Sequence, residues 1–218
     1  MEKSTFREYL ESILIAAILA LFIRTFVFQA FKIPTGSMEP NLLVGDHIVV
    51  NKFVYGPTAG GGGWSFLPTR EIERGDVIVF RAPQEPDKDF IKRVIAVGGD
   101  TVEMVNGVVH VNGEAIDEPY AEYSSRYGSL RDMDPLQVEP GHYFCLGDNR
   151  DNSRDSRYWG TVPQELVKGK AVMVYWSFDT PSTAYYATGI SNRLLQIGQM
   201  LPSFFSRTRW DRTFMSIR

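Results

Sequence analysis

One serine of the chain lies where a nucleophile could be presented to a substrate. Ser37 is in the middle of residues 33–40 (IPTGSMEP), where two prolines and a glycine predict a tight, exposed turn. Thr35 presents a second hydroxyl two residues earlier. A serine hydroxyl is a poor nucleophile until a base takes its proton, so this turn has catalytic meaning only if the sequence also supplies a base. Without one, Ser37 would be an ordinary turn residue.

Histidine, a common base for serine, is a weak candidate here. The three histidines, His47, His110 and His142, fall in separate predicted strands, and no two of them have the spacing of a zinc protease. The sequence also contains no G-x-S-x-G turn and no phosphate-binding loop. We therefore expect each imidazole to be half-buried or at the surface. With a single cysteine, Cys145, the composition predicts no metal site and no cofactor.

Lys92 is the remaining candidate base. It lies in the apolar stretch 90–97 (FIKRVIAV), where strand alternation puts it on the same face as Phe90 and Val94, with Arg93 on the other. Burial disfavours the ammonium form and lowers the pKa of a lysine. Moving that pKa from about 10.4 to about 8 requires about 3 kcal/mol, which desolvation can supply. Taken alone, however, a lysine in a strand is most often a solvated edge residue.

A polar stretch over residues 147–157 (GDNRDNSRDSR) invites a calcium-loop interpretation that does not hold. In that alignment Ser156 occupies the position that needs glycine, and Val162 the position that needs glutamate. Three arginines in the stretch also oppose a cation site. It is more typical of a turn network that satisfies its own polar groups, in which Asp155 and Arg157 form a fixed pair.

Short β-branched and aromatic segments surround these candidates. Asn106-Gly107 predicts a hairpin turn, and the turn-rich stretch that follows predicts an accessory β excursion over 101–140. The fold class is therefore mainly β, a barrel or sandwich, with its domain over residues 31–180. The predicted strands are 46–55, 75–80, 90–97, 101–105, 108–111, 142–146 and 170–178.

The N-terminal segment is strongly apolar. Residues 13–23 (ILIAAILALFI) contain no charge, and the wider stretch 9–28 is long enough to cross about 30 Å of hydrocarbon. A core helix would show a polar stripe, and a cleavable leader would be followed by a small-x-small site instead of Arg24 and Thr25. These features favour one transmembrane helix, although the flanking charges do not decide its orientation.

The C-terminal tail, residues 181–218, is basic and apolar. It contains five arginines against Asp211 alone, a charge of +4 that leaves −7 on residues 1–180. Such a tail could lie on an anionic membrane, or it could pack on the domain with its arginines solvated. The net charge of −3 argues against nucleic acid as a partner.

Four motifs resemble, in order, the conserved boxes of the bacterial type I signal peptidases, also called leader peptidases. The family usually has serine where Thr35 stands, and threonine keeps the hydroxyl group at that position. The resemblance covers about residues 10–180. The motifs are 33–40 (IPTGSMEP), 74–80 (RGDVIVF), 90–100 (FIKRVIAVGGD) and 147–160 (GDNRDNSRDSRYWG).

The resemblance implies a membrane-anchored serine endopeptidase that cleaves signal peptides from exported preproteins after small residues, through an acyl-enzyme. By position, Ser37 is the nucleophile and Lys92 the general base of a Ser–Lys dyad. The backbone N–H of Ser37 and the Thr35 hydroxyl form the oxyanion hole. Ser153 orients the Lys92 amine, supported by Asp155 and Arg157. The positions that line pockets for small side chains are Phe31, Ile33, Met38, Val79 and Ile91.

The resemblance also implies a topology and partners. Residues 1–30 would be a cytoplasmic N-terminus and single anchor in the bacterial inner membrane, with the catalytic domain over 31–180 on the outer, periplasmic side. The partners would be signal peptides of secreted preproteins, membrane lipids and the secretion translocon. The alternative is a catalytically inactive, membrane-anchored β interaction module, against which the full set of hydroxyl and amine groups argues.

Overall fold

The β-branched segments form two antiparallel sheets in the computed structural model, which describes residues 5–55, 69–123, 132–179 and 202–218. The described part of the chain is mainly β, as the sequence predicts. The strands are β1 (Phe28–Lys32), β2 (Asp46–Asn51), β3 (Val77–Arg81), β4 (Asp89–Val97), β5 (Thr101–Val105), β6 (Val108–Val111), β7 (Glu114–Ala115), β8 (Met133–Gln137), β9 (His142–Leu146), β10 (Val162–Pro163), β11 (Val167–Ser177) and β12 (Met215–Ser216).

The larger sheet brings distant parts of the sequence side by side. Its strand order is β1–β2–β11–β3–β4–β9–β10, and β12 pairs with β11. Strand β1 thus straddles the predicted boundary between anchor and catalytic domain at residue 30, and β12 comes from the segment predicted as the tail. Hydrogen bonding to β2 and β11 is what draws these two short strands into the domain.

Strand β4 lies in the interior of this sheet. It pairs with β3 on one side and with β9 on the other, and its residues 91–96 are all buried. A strand covered on both faces is expected to be a nearly continuous apolar run. Lys92 is therefore a central residue of the sheet, not the solvated edge residue that a lone lysine in a strand usually is.

The smaller sheet has the order β7–β6–β5–β8 and lies within residues 101–140. Its β5–β6 hairpin confirms the Asn106-Gly107 prediction, since both turn residues have positive φ, 52° and 76°. Side chains of β5 and β6 share a buried cluster with Phe144 of β9. This cluster joins the smaller sheet to the larger one.

The N-terminal apolar stretch does not form one regular helix. Helix α1 (Thr5–Phe22) ends in a π-helical turn over Ile23–Val27, and β1 begins at the next residue. Within the described ranges, no helix combines the length and the apolar character needed to cross a membrane.

The described part of the C-terminal tail, residues 202–218, returns to the domain, while residues 181–201 of the predicted tail lie outside the described residues. Solvated arginines are the wrong expectation for two positions. Arg209 pairs with Asp179 at 2.8 Å, and Arg212 pairs with the buried Asp46 at 2.7 Å. The packing alternative therefore describes this part of the tail, with its arginines used as contacts.

Candidate active site

Ser37 and Lys92 meet although 55 residues separate them in the sequence. Ser37 lies in the turn between β1 and β2, and Lys92 lies in the middle of β4. The Nζ of Lys92 donates to the Oγ of Ser37 at 2.6 Å. Both residues are buried, with 8% and 4% of their surfaces exposed. The turn and the apolar strand singled out in the sequence thus form a single polar contact in a largely apolar setting.

The nucleophile turn is held at both ends by the backbone. Ile33 N donates to Asp46 O at 2.8 Å, and Gly45 N donates to Ile33 O at 3.0 Å, so β1 and β2 continue into the turn. Leu42 N then donates to Met38 O at 2.8 Å. The expected exposure of the turn 33–40 is wrong for Ile33, Ser37 and Met38, which are buried, as is Leu42 just after the turn.

Burial lowers the pKa of Lys92 to about 8. The carboxylates of Asp155 and Asp148 act in the opposite direction, but the loss of hydration is the larger effect. The Nζ also lies 5.8 Å from the ring centroid of Phe90, on the face that strand alternation predicts. A substantial fraction of Lys92 is therefore neutral at mildly basic pH, and a neutral amine can accept a proton.

Asp155 and Arg157 form the pair that the polar stretch predicts. Arg157 Nε donates to Asp155 Oδ1 at 2.7 Å, and Arg157 Nη2 donates to Oδ2 at 2.8 Å. Asp155 Oδ2 also accepts from Gly147 N at 3.0 Å, and Arg157 Nη2 donates to Arg150 O at 2.7 Å. Two charged side chains thereby fix the backbone at both ends of the loop 147–157.

Ser153 is close to the nucleophile turn but makes no hydrogen bond to Lys92 in this structure. Its Oγ is buried and has no hydrogen-bond partner within the described part of the chain. A Cβ added to Gly147 would lie 2.2 Å from Ser153 Oγ and 2.5 Å from Ser37 O. Glycine at position 147 is therefore required for the loop to approach Ser37, and the role of Ser153 stays a prediction.

The five predicted pocket residues belong to one apolar cluster. Four are buried, and Phe31 of β1 is partly buried against them. Thr35 is exposed two residues before Ser37. The cluster borders the serine through Met38 and the lysine through Ile91, its neighbour in β4. The members from the prediction are Phe31, Ile33, Met38, Val79 and Ile91.

Sequence reasoning missed a buried ion pair that joins three parts of the site. Arg93, next to Lys92, donates from Nε and Nη2 to Asp148 at 2.8 and 2.7 Å. Asp148 also accepts from Asn41 Nδ2, on the chain after the serine, at 2.8 Å. Strand alternation indicates that Arg93 points to the other face of β4, and a charge that is buried there needs a partner. The sequence offers several carboxylates, however, and does not identify which of them is the partner.

Two further residues of the polar stretch reach outside it. Asn149 N donates to Ser37 O and Asn149 Nδ2 donates to Gly36 O, both at 3.1 Å. Arg150 forms a buried bidentate pair with Glu118, with both N–O distances 2.6 Å. The stretch therefore satisfies its own polar groups only in part, since Asn149 binds the nucleophile turn and Arg150 binds the segment after β7.

The fold and the site together define a class of protein: mainly β, with a buried serine–lysine pair. Residues 6–176 match the model of a family described as signal peptidase, peptidase S26. The chain is 37% identical over 209 residues to a signal peptidase I of Pseudomonas aeruginosa, with 80% of this chain and 74% of that protein covered. It is 36% identical over 233 residues to a signal peptidase I of Aquifex aeolicus, covering 81% and 86%.

The chain therefore belongs to the signal peptidase family, peptidase S26, which confirms the resemblance of the four motifs. A crystal structure of a signal peptidase I from Enterococcus faecalis V583 is 33% identical and covers 46% of this chain and 97% of its own, with a TM-score of 0.42. At that TM-score the superposition adds nothing to the family assignment.

Proposed function

We propose that this protein is a serine endopeptidase that cleaves signal peptides from exported preproteins with a Ser37–Lys92 dyad. The observation that carries the proposal is the 2.6 Å contact between Lys92 Nζ and Ser37 Oγ, in a setting that lowers the pKa of the amine. Nucleophile and base within hydrogen-bond reach, with the base kept partly neutral, are the two requirements for activating a serine.

The proposed reaction has two halves. As Ser37 Oγ attacks the scissile carbonyl carbon, its proton passes to the Lys92 amine; the resulting ammonium protonates the leaving amine when the C–N bond breaks. The product is an acyl-enzyme ester on Oγ. Lys92, neutral again, then takes a proton from water, whose oxygen attacks the ester carbonyl. When the ester C–O bond breaks, the proton returns from Lys92 to Ser37 Oγ, and the signal peptide leaves as a carboxylic acid that loses its remaining proton to solvent.

The oxyanion of each tetrahedral intermediate needs donors near Ser37. The backbone N–H of Ser37 and the hydroxyl of Thr35 are the proposed pair. Among the hydrogen bonds of the described residues, none engages either donor, so neither is committed to another acceptor. A donor already in position is worth more than one that must reorganise during the reaction.

The proposed substrate preference for small residues near the cleavage site follows from the apolar cluster beside the dyad. Ile33 and Met38 are 2% and 0% exposed, so these two side chains leave almost no depth for a substrate side chain to enter. Larger side chains would have to displace packed core atoms, at about 1–3 kcal/mol. An extended substrate backbone would supply the rest of the binding through hydrogen bonds.

Helix α1 is the proposed membrane anchor. It has no buried residue, and its apolar side chains from Ile13 to Phe22 are exposed, Ile15 by 67% and Leu19 by 56%. Apolar side chains that the protein leaves uncovered favour lipid as their surroundings. With α1 in the inner membrane and the catalytic domain on the periplasmic side, the dyad would lie near preproteins that emerge from the secretion translocon.

A pH–rate profile tests the dyad directly. We expect kcat/KM for a synthetic signal-peptide substrate to rise about tenfold per pH unit below about pH 8 and to level above it, since only the neutral amine is a base. The profile is measured from pH 6 to 10 on the full chain in detergent. An acid limb near pH 6.5 would indicate a histidine base, and a flat profile would remove the lysine from the mechanism.

The oxyanion hole has its own test in Thr35. We expect Thr35→Val, which deletes the donor but keeps the shape, to lower kcat by about 10²-fold, with KM little changed. Thr35→Ser keeps the hydroxyl and is the matched control, with kcat within a few-fold of wild type. Equal activity of the valine and serine variants would exclude the hydroxyl as a donor.

A further inference from the structure

The chain from Thr208 to Arg218, here called the strap, contacts the part of the nucleophile turn that follows Ser37. Its strand β12 pairs with Met173 and Val174 of β11, and Ile217 N donates to Val172 O at 3.0 Å. The strap is therefore a regular extension of the larger sheet, and its contacts with the turn are made from a fixed position.

Arg212 makes the main contact between the strap and the turn. Its guanidinium donates to Asn41 O at 2.8 Å and to both carboxylate oxygens of Asp46, at 2.7 and 3.3 Å. Asp46 is fully buried, and its Oδ2 also accepts from Leu43 N at 2.9 Å. One planar group thus fixes both ends of residues 41–46, the backbone that joins Ser37 to β2.

Two further contacts of the strap act on the same turn. Arg209 Nη1 donates to Val44 O at 3.0 Å. Met215 and Ile217 pack against the apolar cluster that contains Met38, the residue next to the serine. These contacts restrain the turn through its backbone and through its buried side chain.

The strap also reaches the strand that contains the base. Arg93 Nη1 donates to Gly75 O at 2.9 Å and to Arg218 O at 2.8 Å. Arg93 is adjacent to Lys92, and its pair with Asp148 already joins that strand to Asn41. The nucleophile turn and the base strand therefore share the strap as a common support.

We propose that Arg212 is a positioning residue, which sets the alignment of Ser37 with Lys92 by holding residues 41–46 in place. The inference rests on the proposed function, since it concerns the same dyad. Loss of the guanidinium leaves the buried Asp46 carboxylate without its arginine and lets the turn move. Because a displacement of about 1 Å in a catalytic group can cost about 10²-fold in rate, a small shift of the turn is enough.

The test compares Arg212→Gln with two controls in the full chain. Arg207→Gln removes an exposed arginine just outside the strap, which lies over the Phe178 ring and, within the described residues, makes no hydrogen bond or ion pair with residues 41–46. Arg212→Lys keeps the charge but cannot bridge Asn41 O and both oxygens of Asp46. For each variant, kcat, KM and the concentration of reactive Ser37, by titration with an acylating inhibitor, are measured at pH 6–10.

We expect Arg212→Gln to lower kcat per titrated site by about 10–100-fold with KM within about twofold, and Arg212→Lys to fall between it and wild type. We also expect the acid limb of its profile to move above pH 8, since a loosened turn admits water to Lys92. Arg207→Gln should match wild type.

A purely structural role would lower only the number of titratable sites, leaving kcat per site and the acid limb unchanged, and that result would overturn the inference. So would equal kinetics of the two glutamine variants. If the wild-type chain itself shows no cleavage that depends on Ser37, the proposed function fails first, and a positioning role in that reaction fails with it.

Discussion

Ser37→Ala is expected to reduce signal-peptide cleavage by about 10⁴-fold or more while leaving the fold intact. Removal of Oγ leaves no atom that can form the acyl-enzyme, and the remaining oxyanion donors and pockets only bind the substrate. The variant also deletes the acceptor of the 2.6 Å contact from Lys92, a group that is partly neutral and so tolerates the loss. The measurement is kcat/KM on a synthetic signal peptide, with mass spectrometry of the products.

The control for Ser37→Ala is Ser206→Ala, since Ser206 is an exposed serine whose hydroxyl donates to Ser203 O at 3.2 Å. We expect this variant to cleave at the wild-type rate. An acyl-enzyme trapped at low pH by rapid quench should add the mass of the signal peptide to the wild type and to Ser206→Ala only. Undiminished cleavage by Ser37→Ala would remove the serine from the mechanism.

The parts of the fold that the sequence predicts well are those set by neighbouring residues. The β5–β6 hairpin has the predicted strand bounds because its two turn residues, Asn106 and Gly107, favour by themselves the positive φ values that the turn requires. Strand β4 is recognisable because burial on both faces demands a continuous apolar run. In the same way, Asp155 and Arg157 are two residues apart, so their pairing depends on local geometry.

The contacts that the sequence does not predict are set by the packing of distant segments. Arg93 needs a carboxylate, but nothing local distinguishes Asp148 from Asp155 as its partner. The burial of the nucleophile turn depends on Met38 and Leu42 packing into a core built from five strands and the strap. Arg212 looks like one more solvated arginine of a basic tail until the strap is paired with β11.

The end of the N-terminal helix is also set by packing with a distant segment. Hydropathy alone does not reveal that residues 28–32 are needed as an edge strand on β2, with Phe28 opposite Asn51. The helix therefore ends at Phe22, earlier than the apolar character of the sequence suggests. Pairing with a distant strand overrides the local preference for helix there.

Lys92→Met is expected to abolish cleavage, to the same extent as Ser37→Ala, and to stabilise the folded protein. Methionine keeps the apolar length of the side chain but cannot accept the serine proton. The pKa of Lys92 lies at about 8 in the folded protein, below its value of 10.5 in the unfolded chain. The unfolded state therefore binds the proton more tightly, and this lysine costs the folded state stability wherever the proton is bound.

The cost begins as the pH falls below about 10.5 and is complete below about pH 8, where it amounts to about 3 kcal/mol. Lys92→Met should therefore raise the free energy of unfolding by up to about 3 kcal/mol at pH 7, and the gain should disappear as the pH rises to about 10.5. Denaturant unfolding at both pH values measures it. Lys92→Arg should be equally inactive but less stable than wild type at pH 10.5, where Lys92 is neutral in the folded protein and a buried guanidinium stays protonated. A lysine needed only for structure would give the opposite result for Lys92→Met, a loss of stability at pH 7.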